Sequence, residues 1–276
     1  MPAAMRLAAF IFAITLVFSY KPTMHSSLAQ AEVKKMVPSV IEITVLYNNV
    51  AQDQRLTPAW GMSCLIEGME KTILFDTGGD GRILLSNMRK LGKDPAKVEA
   101  VALSHIHGDH TGGLSEFLQA AGNVELYIPK SFPDGFRRQA EELGHTTTMI
   151  GKPVQIAKDV YSTGEMGDGI KEQALILNTS KGLVVITGCA HPGVVNLVRK
   201  AKEVCTGDVY LVMGGFHLMG YSDREVQKII KELKDLGVKK VGPSHCTGDR
   251  PIELFRRAWK EDFVEIGCGG TFQIKL

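Results

Sequence analysis

The sequence predicts a layered α/β protein. The first half begins with an alternating apolar pattern at Ile41, Ile43, Val45 and Tyr47, which is the period of a half-buried strand. The second half alternates short apolar segments with amphipathic helices, as βα units do. No low-complexity or Pro-, Gly- or Ser-rich linker interrupts residues 32–276, so we expect a single domain there.

Individual elements follow from the same periodicities. We expect strands at residues 41–47, 63–66, 72–75, 101–104, 174–177, 183–187, 209–213 and 239–242. We expect helices at residues 82–91, 114–121, 194–204 and 224–236. The last helix is preceded by Ser222, whose spacing to Glu225 is that of a capping box.

Composition excludes several classes of protein. The chain has 276 residues, of which 44% are hydrophobic and 22% charged, so it can fill a core and is not a disordered chain. Five cysteines are too few for a disulfide scaffold. With 32 Lys and Arg against 30 Asp and Glu, the net charge of +2 gives no basic excess for nucleic acid. We therefore expect no nucleic-acid partner.

The N-terminus has the pattern of an export signal. Arg6 precedes an apolar run over residues 7–18, which is shorter than the roughly 20 residues that a spanning helix needs. Ala29 and Ala31 provide the small residues of a cleavage site, so we predict a signal peptide over residues 1–31 and an exported, periplasmic or secreted protein without stable membrane contact. The alternative is an uncleaved N-terminus that anchors the exported chain in the membrane.

The strongest chemical signal is a histidine cluster. Residues 103–113 have the sequence LSHIHGDHTGG and lie between a predicted strand and a predicted helix. Alternation along an extended chain places His105 and His107 on one side, while Asp109 and His110 turn towards a neighbouring position as the helix begins. Imidazole and carboxylate groups are ligands of Zn²⁺ and related divalent ions, so this segment predicts a metal site.

This segment resembles the His-x-His-x-Asp-His signature of the metallo-β-lactamase superfamily. The preceding sequence agrees, because a hairpin ending at residues 75–78 (FDTG) is followed by a helix and then by the motif strand. The resemblance covers most of residues 40–276 and implies an αββα four-layer sandwich with a two-metal site at one edge. It further implies that Asp76 supports the metal-binding loop, and that loops at residues 47–61 and 131–169 select a small-molecule substrate.

Three further histidines follow predicted strands in the second half: His191, His217 and His245. Distant histidines must complete the coordination shells that the first cluster begins, and we expect His191 and His245 to be ligands. His217 is either a ligand or a residue that faces substrate or supports a ligand. His145 is expected in a surface loop.

One position departs from the superfamily pattern. Most members place a metal-bridging aspartate where this chain has Cys189. Either Cys189 binds as a thiolate, as in some relatives, or His191 takes over and Cys189 is merely buried; we favour His191. Without the bridging carboxylate, the site for two metal ions lacks one negative charge, so we expect the second metal ion to bind more weakly. Cys246 is expected to pack rather than to ligate.

The resemblance implies two divalent ions, zinc in the first place and manganese or iron as alternatives. We assign His105, His107 and His191 to one ion and Asp109, His110 and His245 to the other. A metal-activated hydroxide would attack a phosphoester, lactone or amide, with Asp109 as the catalytic residue that orients the water.

Three short segments are more specific than the superfamily signature: residues 188–193 (GCAHPG), 214–218 (GGFHL) and 244–248 (SHCTG). They resemble a subgroup whose named member is the archaeal dihydropterin–ribofuranosylaminobenzene 5′-phosphate synthase. A transferase reaction of that kind is therefore the first alternative to hydrolysis. A metal-binding or sensing protein without turnover is the second.

Overall fold

The computed structural model describes residues 40–275 of the chain. The predicted signal peptide lies outside the described residues. The strands are β1 (Val40–Tyr47), β2 (Ser63–Glu67), β3 (Ile73–Phe75), β4 (Ala100–Ala102), β5 (Glu125–Pro129), β6 (Thr146–Ile150), β7 (Val154–Ala157), β8 (Val160–Ser162), β9 (Leu175–Thr179), β10 (Gly182–Thr187), β11 (Val209–Gly215), β12 (Lys240–Ser244) and β13 (Thr271–Lys275). The helices are α1 (Gly81–Lys90), α2 (Gly108–Thr111), α3 (Leu114–Ala120), α4 (Asp134–Glu142), α5 (Val194–Val204), α6 (Asp223–Asp235) and α7 (Asp249–Trp259).

The strands form two mixed sheets. One sheet has the order β13-β1-β2-β3-β4-β5-β6 and the other the order β12-β11-β10-β9-β8-β7. Strands β3 to β6 run parallel in the first sheet, and β10, β11 and β12 run parallel in the second. The carboxyl ends of parallel neighbours lie at the same edge of a sheet, which is where ligand sites of α/β proteins form.

Three apolar clusters make the four layers. Ile43 and Phe75 from the first sheet share a buried cluster with Val184 and Met213 from the second, so the two sheets pack face to face. A second cluster joins α5, α6 and α7 to the outer face of the second sheet. A third joins α1 and α3 to the outer face of the first sheet. The αββα sandwich expected from the resemblance is confirmed.

The predicted helices and strands are present, but several elements were not predicted, among them β5, the amphipathic helix α7 and β13. The capping box at the start of α6 is present, with Ser222 accepting from the Glu225 backbone N–H. The prediction of a loop over residues 131–169 is wrong, because this stretch contains α4, β6, β7 and β8. Helix α4 buries only Ala140, and β6 buries only Ile150, so neither has the apolar stripe that reveals an element in a sequence.

The prediction of a surface position for His145 is also wrong. His145 is buried, its Nε2–H donates to the Leu118 carbonyl oxygen at 3.0 Å, and its Nδ1 accepts from the Val124 backbone N–H at 3.4 Å. The missed helix α4 ends just before this residue and returns the chain to the sheet. Across residues 40–275, no helix has the length and apolarity needed to span a bilayer.

Candidate metal centre

The predicted ligands meet where strands of both sheets end. His105, His107 and the short helix α2 follow β4 in the first sheet. Cys189 and His191 follow β10, and His245 directly follows β12, in the second sheet. These loops place their imidazole, carboxylate and thiol groups in two adjacent groups, each with its donor atoms within 4.8 Å of one another.

The first group consists of His105, His107 and His191. Nε2 of His105 lies 3.1 Å from Nδ1 of His107, and the His191 ring lies 4.7 Å from the His105 ring and 4.9 Å from the His107 ring. Burial lowers the pKa of His105, and burial together with the neighbouring His217 lowers the pKa of His191 to about 4. The imidazoles of His105 and His191 are therefore neutral at neutral pH and can each offer a lone pair.

Nε2 of His191 is the clearest sign of an absent ligand. This atom is buried and has no hydrogen-bond partner among residues 40–275. A buried polar atom without a partner costs about 1–3 kcal/mol, so such atoms are rare unless a ligand, ion or water satisfies them. The other imidazoles of the first group lie beside it, and a cation between them would bind all three.

The second group consists of Asp109, His110, Cys189 and His245. The two Nε2 atoms of His110 and His245 lie 3.2 Å apart, and Sγ of Cys189 lies 3.3 Å from Nε2 of His110. Oδ2 of Asp109 lies 3.1 Å from Nε2 of His245. Four donors of the kinds that bind zinc thus converge on one position.

The outer nitrogens of both histidines are already occupied. Nδ1–H of His110 donates to Asp76 Oδ2 at 2.7 Å, and Nδ1–H of His245 donates to Asn49 Oδ1 at 3.0 Å. In the neutral rings this leaves both Nε2 lone pairs facing each other, which favours a cation between them. Oδ1 of Asn49 also accepts from the Gly61 backbone N–H at 3.3 Å, which fixes the orientation of its amide.

The electrostatics of this group favour one bound positive charge. Burial alone would raise the pKa of Asp109, but its hydrogen bond with His245 and the charge of His110 bring the pKa below its ordinary value. Burial alone would lower the pKa of His110, whereas the Asp76 carboxylate raises it above its ordinary value. A metal ion at Nε2 of His110 would compete with a proton for the same lone pair, so metal binding depends on pH.

Asp76 lies behind both groups. It is fully buried and its carboxylate accepts from the Ser104 backbone N–H at 2.6 Å, from the Ser104 hydroxyl at 2.7 Å and from His110. The Ser104 hydroxyl in turn lies 2.9 Å from Nδ1 of His105. Asp76 thereby links the histidines of both groups and sets which nitrogen His110 presents.

Backbone strain is concentrated here. Asp76, Ala190, His217 and His245 all have φ between 51° and 59°, a region that non-glycine residues rarely adopt. Strain of this kind persists only where the surrounding structure fixes it, and it gathers at functional sites.

Glu172 positions the segment that carries Cys189 and His191, a role that the sequence did not predict. It is fully buried, and its carboxylate accepts four backbone N–H groups at 2.8–3.1 Å, from each residue of the segment 188–191. Burial raises the pKa of Glu172 to about 7, although the N–H groups of His191 and Ala190 act in the opposite direction. In the sequence it belongs to residues 172–175 (EQAL), which resemble the same subgroup as residues 188–193, but this resemblance gave no role for the carboxylate.

Cys189 and His191 do not compete for one position. The structure places Cys189 in the second group and His191 in the first, so the two alternatives posed by the sequence describe two different roles. His217 is exposed and belongs to neither group, although its ring lies 4.3 Å from that of His191.

A cavity of about 210 Å³ opens beside the first group. His191 and His217 lie at one end, Phe216 and Tyr221 contribute aromatic surface, and Arg199 contributes a guanidinium group. The cavity has room for part of a small molecule beside His191 and His217. At the second group, the half-exposed indole of Trp60 packs against the ring of His245, with the ring centres 4.8 Å apart.

Comparison with known proteins agrees with this architecture. The sequence profile of the metallo-beta-lactamase superfamily matches residues 61–195. The chain is 32% identical over 266 residues to the 7,8-dihydropterin-6-methyl-4-(beta-D-ribofuranosyl)-aminobenzene-5′-phosphate synthase of Methanocaldococcus jannaschii, covering 77% of this chain and 90% of that protein. It is 28% identical over 246 residues to an uncharacterized protein of the same organism, covering 76% of this chain and 92% of that protein.

Among solved structures, one is a metal-dependent hydrolase of the beta-lactamase superfamily. It superposes with a TM-score of 0.70 at 27% sequence identity, covering 86% of this chain and 100% of that one. The similarity therefore extends over the whole αββα sandwich and is not limited to the histidine motif.

Proposed function

Because the chain belongs to the metallo-beta-lactamase superfamily, we propose that it is a metal-dependent hydrolase acting on a phosphoester, a lactone or an amide. The observation that carries this proposal is the pair of adjacent donor groups, with converging lone pairs and the unpartnered Nε2 of His191. Such pairs of groups suit two divalent ions that act on one substrate.

The donors suggest which ions these are. Zinc binds imidazole and thiol groups more strongly than manganese does. The second group includes the thiol of Cys189. We propose zinc in both positions, with manganese or iron as alternatives. Bound ions of this kind lower the pKa of a coordinated water from about 16 towards 7 and stabilise negative charge on a substrate oxygen.

The protein's own groups would divide the remaining work. The carboxylate of Asp109 is ionised and partly exposed, so it can accept a hydrogen bond from the attacking water and orient it. Asp76 keeps Nε2 of His110 directed inward, and Glu172 fixes the segment that carries Cys189 and His191. The cavity beside His191 would receive the substrate.

Transfer instead of hydrolysis is the second candidate. The observation that favours it is the 32% identity to an archaeal synthase over 90% of that protein's length. In this case the same metal groups would bind and polarise a phosphorylated substrate. A protein that binds metal without turnover is the third candidate.

The test begins with metal content. Mature protein purified without chelators or added metal should contain about two ions per chain, in line with a two-metal centre. The loaded protein is then assayed with phosphoesters, lactones and amides beside Asp109→Asn and the control Asp159→Asn, which makes the same change in the turn between β7 and β8. We expect hydrolysis by the wild type and the control only. No metal uptake on titration, or equal hydrolysis by Asp109→Asn, would contradict the proposal.

A further inference from the structure

We propose that Cys189, His217 and Cys246 form a third metal position, one that selects a thiophilic cation. Their two Sγ atoms and an imidazole nitrogen lie within 4.8 Å of one another. This set shares Cys189 with the second group and is otherwise separate from both groups that we assign to hydrolysis.

The position is built by three neighbouring strands. Cys189, His217 and Cys246 each follow the carboxyl end of one of the parallel strands β10, β11 and β12, which are adjacent in the second sheet. Cys189 and Cys246 are only 3% and 5% exposed, whereas His217 is exposed. A cation can therefore reach the thiols from solvent on the side of His217.

Hydrogen bonds hold these loops together without help from a metal. The Gly215 backbone N–H donates to the Gly188 carbonyl oxygen at 3.1 Å, which joins the loops after β10 and β11. The Phe216 backbone N–H donates to the Thr247 hydroxyl at 3.0 Å, and that hydroxyl donates to the Ser244 carbonyl oxygen at 2.6 Å. The donors are thus fixed before any ion binds, which lowers the entropy cost of binding.

Two backbone features fit a close approach of these loops. A Cβ at Gly215 would lie 2.7 Å from Sγ of Cys246 and 2.3 Å from the Gly188 carbonyl oxygen, so this strand end tolerates only glycine. His217 has φ of 52°, a strained conformation for a residue with a side chain. The protein accepts this strain at the residue that brings the imidazole beside the two thiols.

The donor set determines the class of cation. Two thiols and an imidazole, without a carboxylate, suit a soft or borderline ion such as Cu⁺, Zn²⁺ or Cd²⁺ and are poor ligands for Mn²⁺ or Mg²⁺. Sγ of Cys246 donates a long hydrogen bond, 3.7 Å, to the Cys189 carbonyl oxygen, which keeps this thiol beside the loop that carries Cys189. Each thiol that binds releases its proton to solvent.

Cadmium provides the test, because it is thiophilic and its bonds to thiolate absorb in the ultraviolet. Bound Cd²⁺ and Mn²⁺ per chain are measured by equilibrium dialysis for the wild type, Cys246→Ser and His217→Asn. Asparagine suits the positive φ at residue 217 and lacks a soft donor. The matched control is Cys205→Ser, which removes another buried thiol at the end of α5.

We expect Cys246→Ser and His217→Asn each to bind one Cd²⁺ fewer than the wild type, with a weaker thiolate absorption for Cys246→Ser. Cys205→Ser should bind as much Cd²⁺ as the wild type, and Mn²⁺ binding should be the same in all four proteins. Equal Cd²⁺ binding by the wild type and His217→Asn would overturn the proposal, and so would an equal loss in the Cys205→Ser control. If Cys246→Ser does not fold, the comparison of His217→Asn with the wild type still tests the proposal, because His217 is exposed and its replacement should not disturb folding.

The outcome is independent of the hydrolase proposal. A protein that loses one Cd²⁺ in these variants but hydrolyses no substrate supports the third position and contradicts hydrolysis. Hydrolysis by the wild type, with identical Cd²⁺ binding in all variants, supports the hydrolase proposal and contradicts the third metal position.

Discussion

Replacing Glu172 by glutamine tests whether one buried carboxylate organises both metal groups. The carboxylate accepts four backbone N–H groups from residues 188–191, the segment that carries Cys189 and His191. Glutamine keeps the shape but replaces one acceptor oxygen by an NH₂ group. If its oxygen takes the three N–H groups of Gly188, Cys189 and Ala190, the NH₂ group faces the N–H of His191, and two donors oppose each other.

The expected loss of stability is about 2 kcal/mol. The buried N–H that loses its acceptor costs about 1–3 kcal/mol. Burial raises the pKa of Glu172 to about 7, so its carboxyl group is only partly ionised at pH 7 and its replacement by a neutral amide adds little to this cost. The displaced loop should also weaken metal binding by about 10- to 100-fold, as other changes behind metal ligands do.

Urea unfolding of the unloaded protein measures the free energy of unfolding, and competition with a chromophoric chelator measures metal affinity. Glu165→Gln is the matched control, because the Glu165 carboxylate accepts one backbone N–H, that of Ser131, at a partly exposed position. It should change stability by less than about 0.5 kcal/mol and leave metal affinity unchanged. A Glu172→Gln protein as stable as the wild type and with the same metal affinity would refute the role assigned to this carboxylate.

Three further predictions concern the same centre. Asp76→Asn should weaken metal binding by about 10- to 100-fold in the same competition assay, because it removes the charge that fixes the His110 imidazole. Asparagine tolerates the positive φ at this position, and an unchanged metal affinity would contradict the role of Asp76. Co²⁺ bound in the second group should quench the fluorescence of Trp60, because its ring lies 4.8 Å from the ring of the predicted ligand His245. The buried Trp259 supplies the residual fluorescence, and Trp60→Phe should abolish the quenching. The unloaded protein should lose stability as pH falls from about 6.5 to about 4, because the pKa of His191 is lowered to about 4 and the unfolded chain takes up the proton first. This loss should stay well below the limit of about 1.4 kcal/mol per pH unit, since the ring is partly exposed and screened, and His191→Gln should reduce it.

The first segment of the candidate metal centre could be located from the sequence because its donors are close neighbours along the chain. His105, His107, Asp109 and His110 fall within six residues, and the local backbone directs them to one region whatever the rest of the fold does. The strand and helix periods of β1, α5 and α6 are local in the same sense, so they predicted a layered α/β fold. The order of strands was not local, since β13 pairs with β1 across almost the whole described chain.

The residues that complete the centre were harder to assign. His191 and His245 were expected as ligands because the first cluster needed partners. We assigned His191 to the group of His105 and His107, and His245 to the group of Asp109 and His110, and their donor atoms are grouped in this way in the structure. Cys189 and His191 were posed as alternatives since they lie two residues apart, and only the turn after β10 sends their side chains to different groups.

By itself, then, the sequence determined the fold class and the position of the histidine motif of the candidate metal centre, since both follow from patterns within a short stretch of chain. Tertiary structure alone decided that Glu172 holds the segment 188–191, and that Cys246 and His217 lie beside Cys189. These contacts join residues that are 16 to 57 positions apart, as in the hydrogen bonds of Glu172 and Cys246. Residues this far apart in the sequence come into contact only when the packing of two sheets and their helices outweighs the loss of chain entropy. No local sequence pattern predicts which residues then meet.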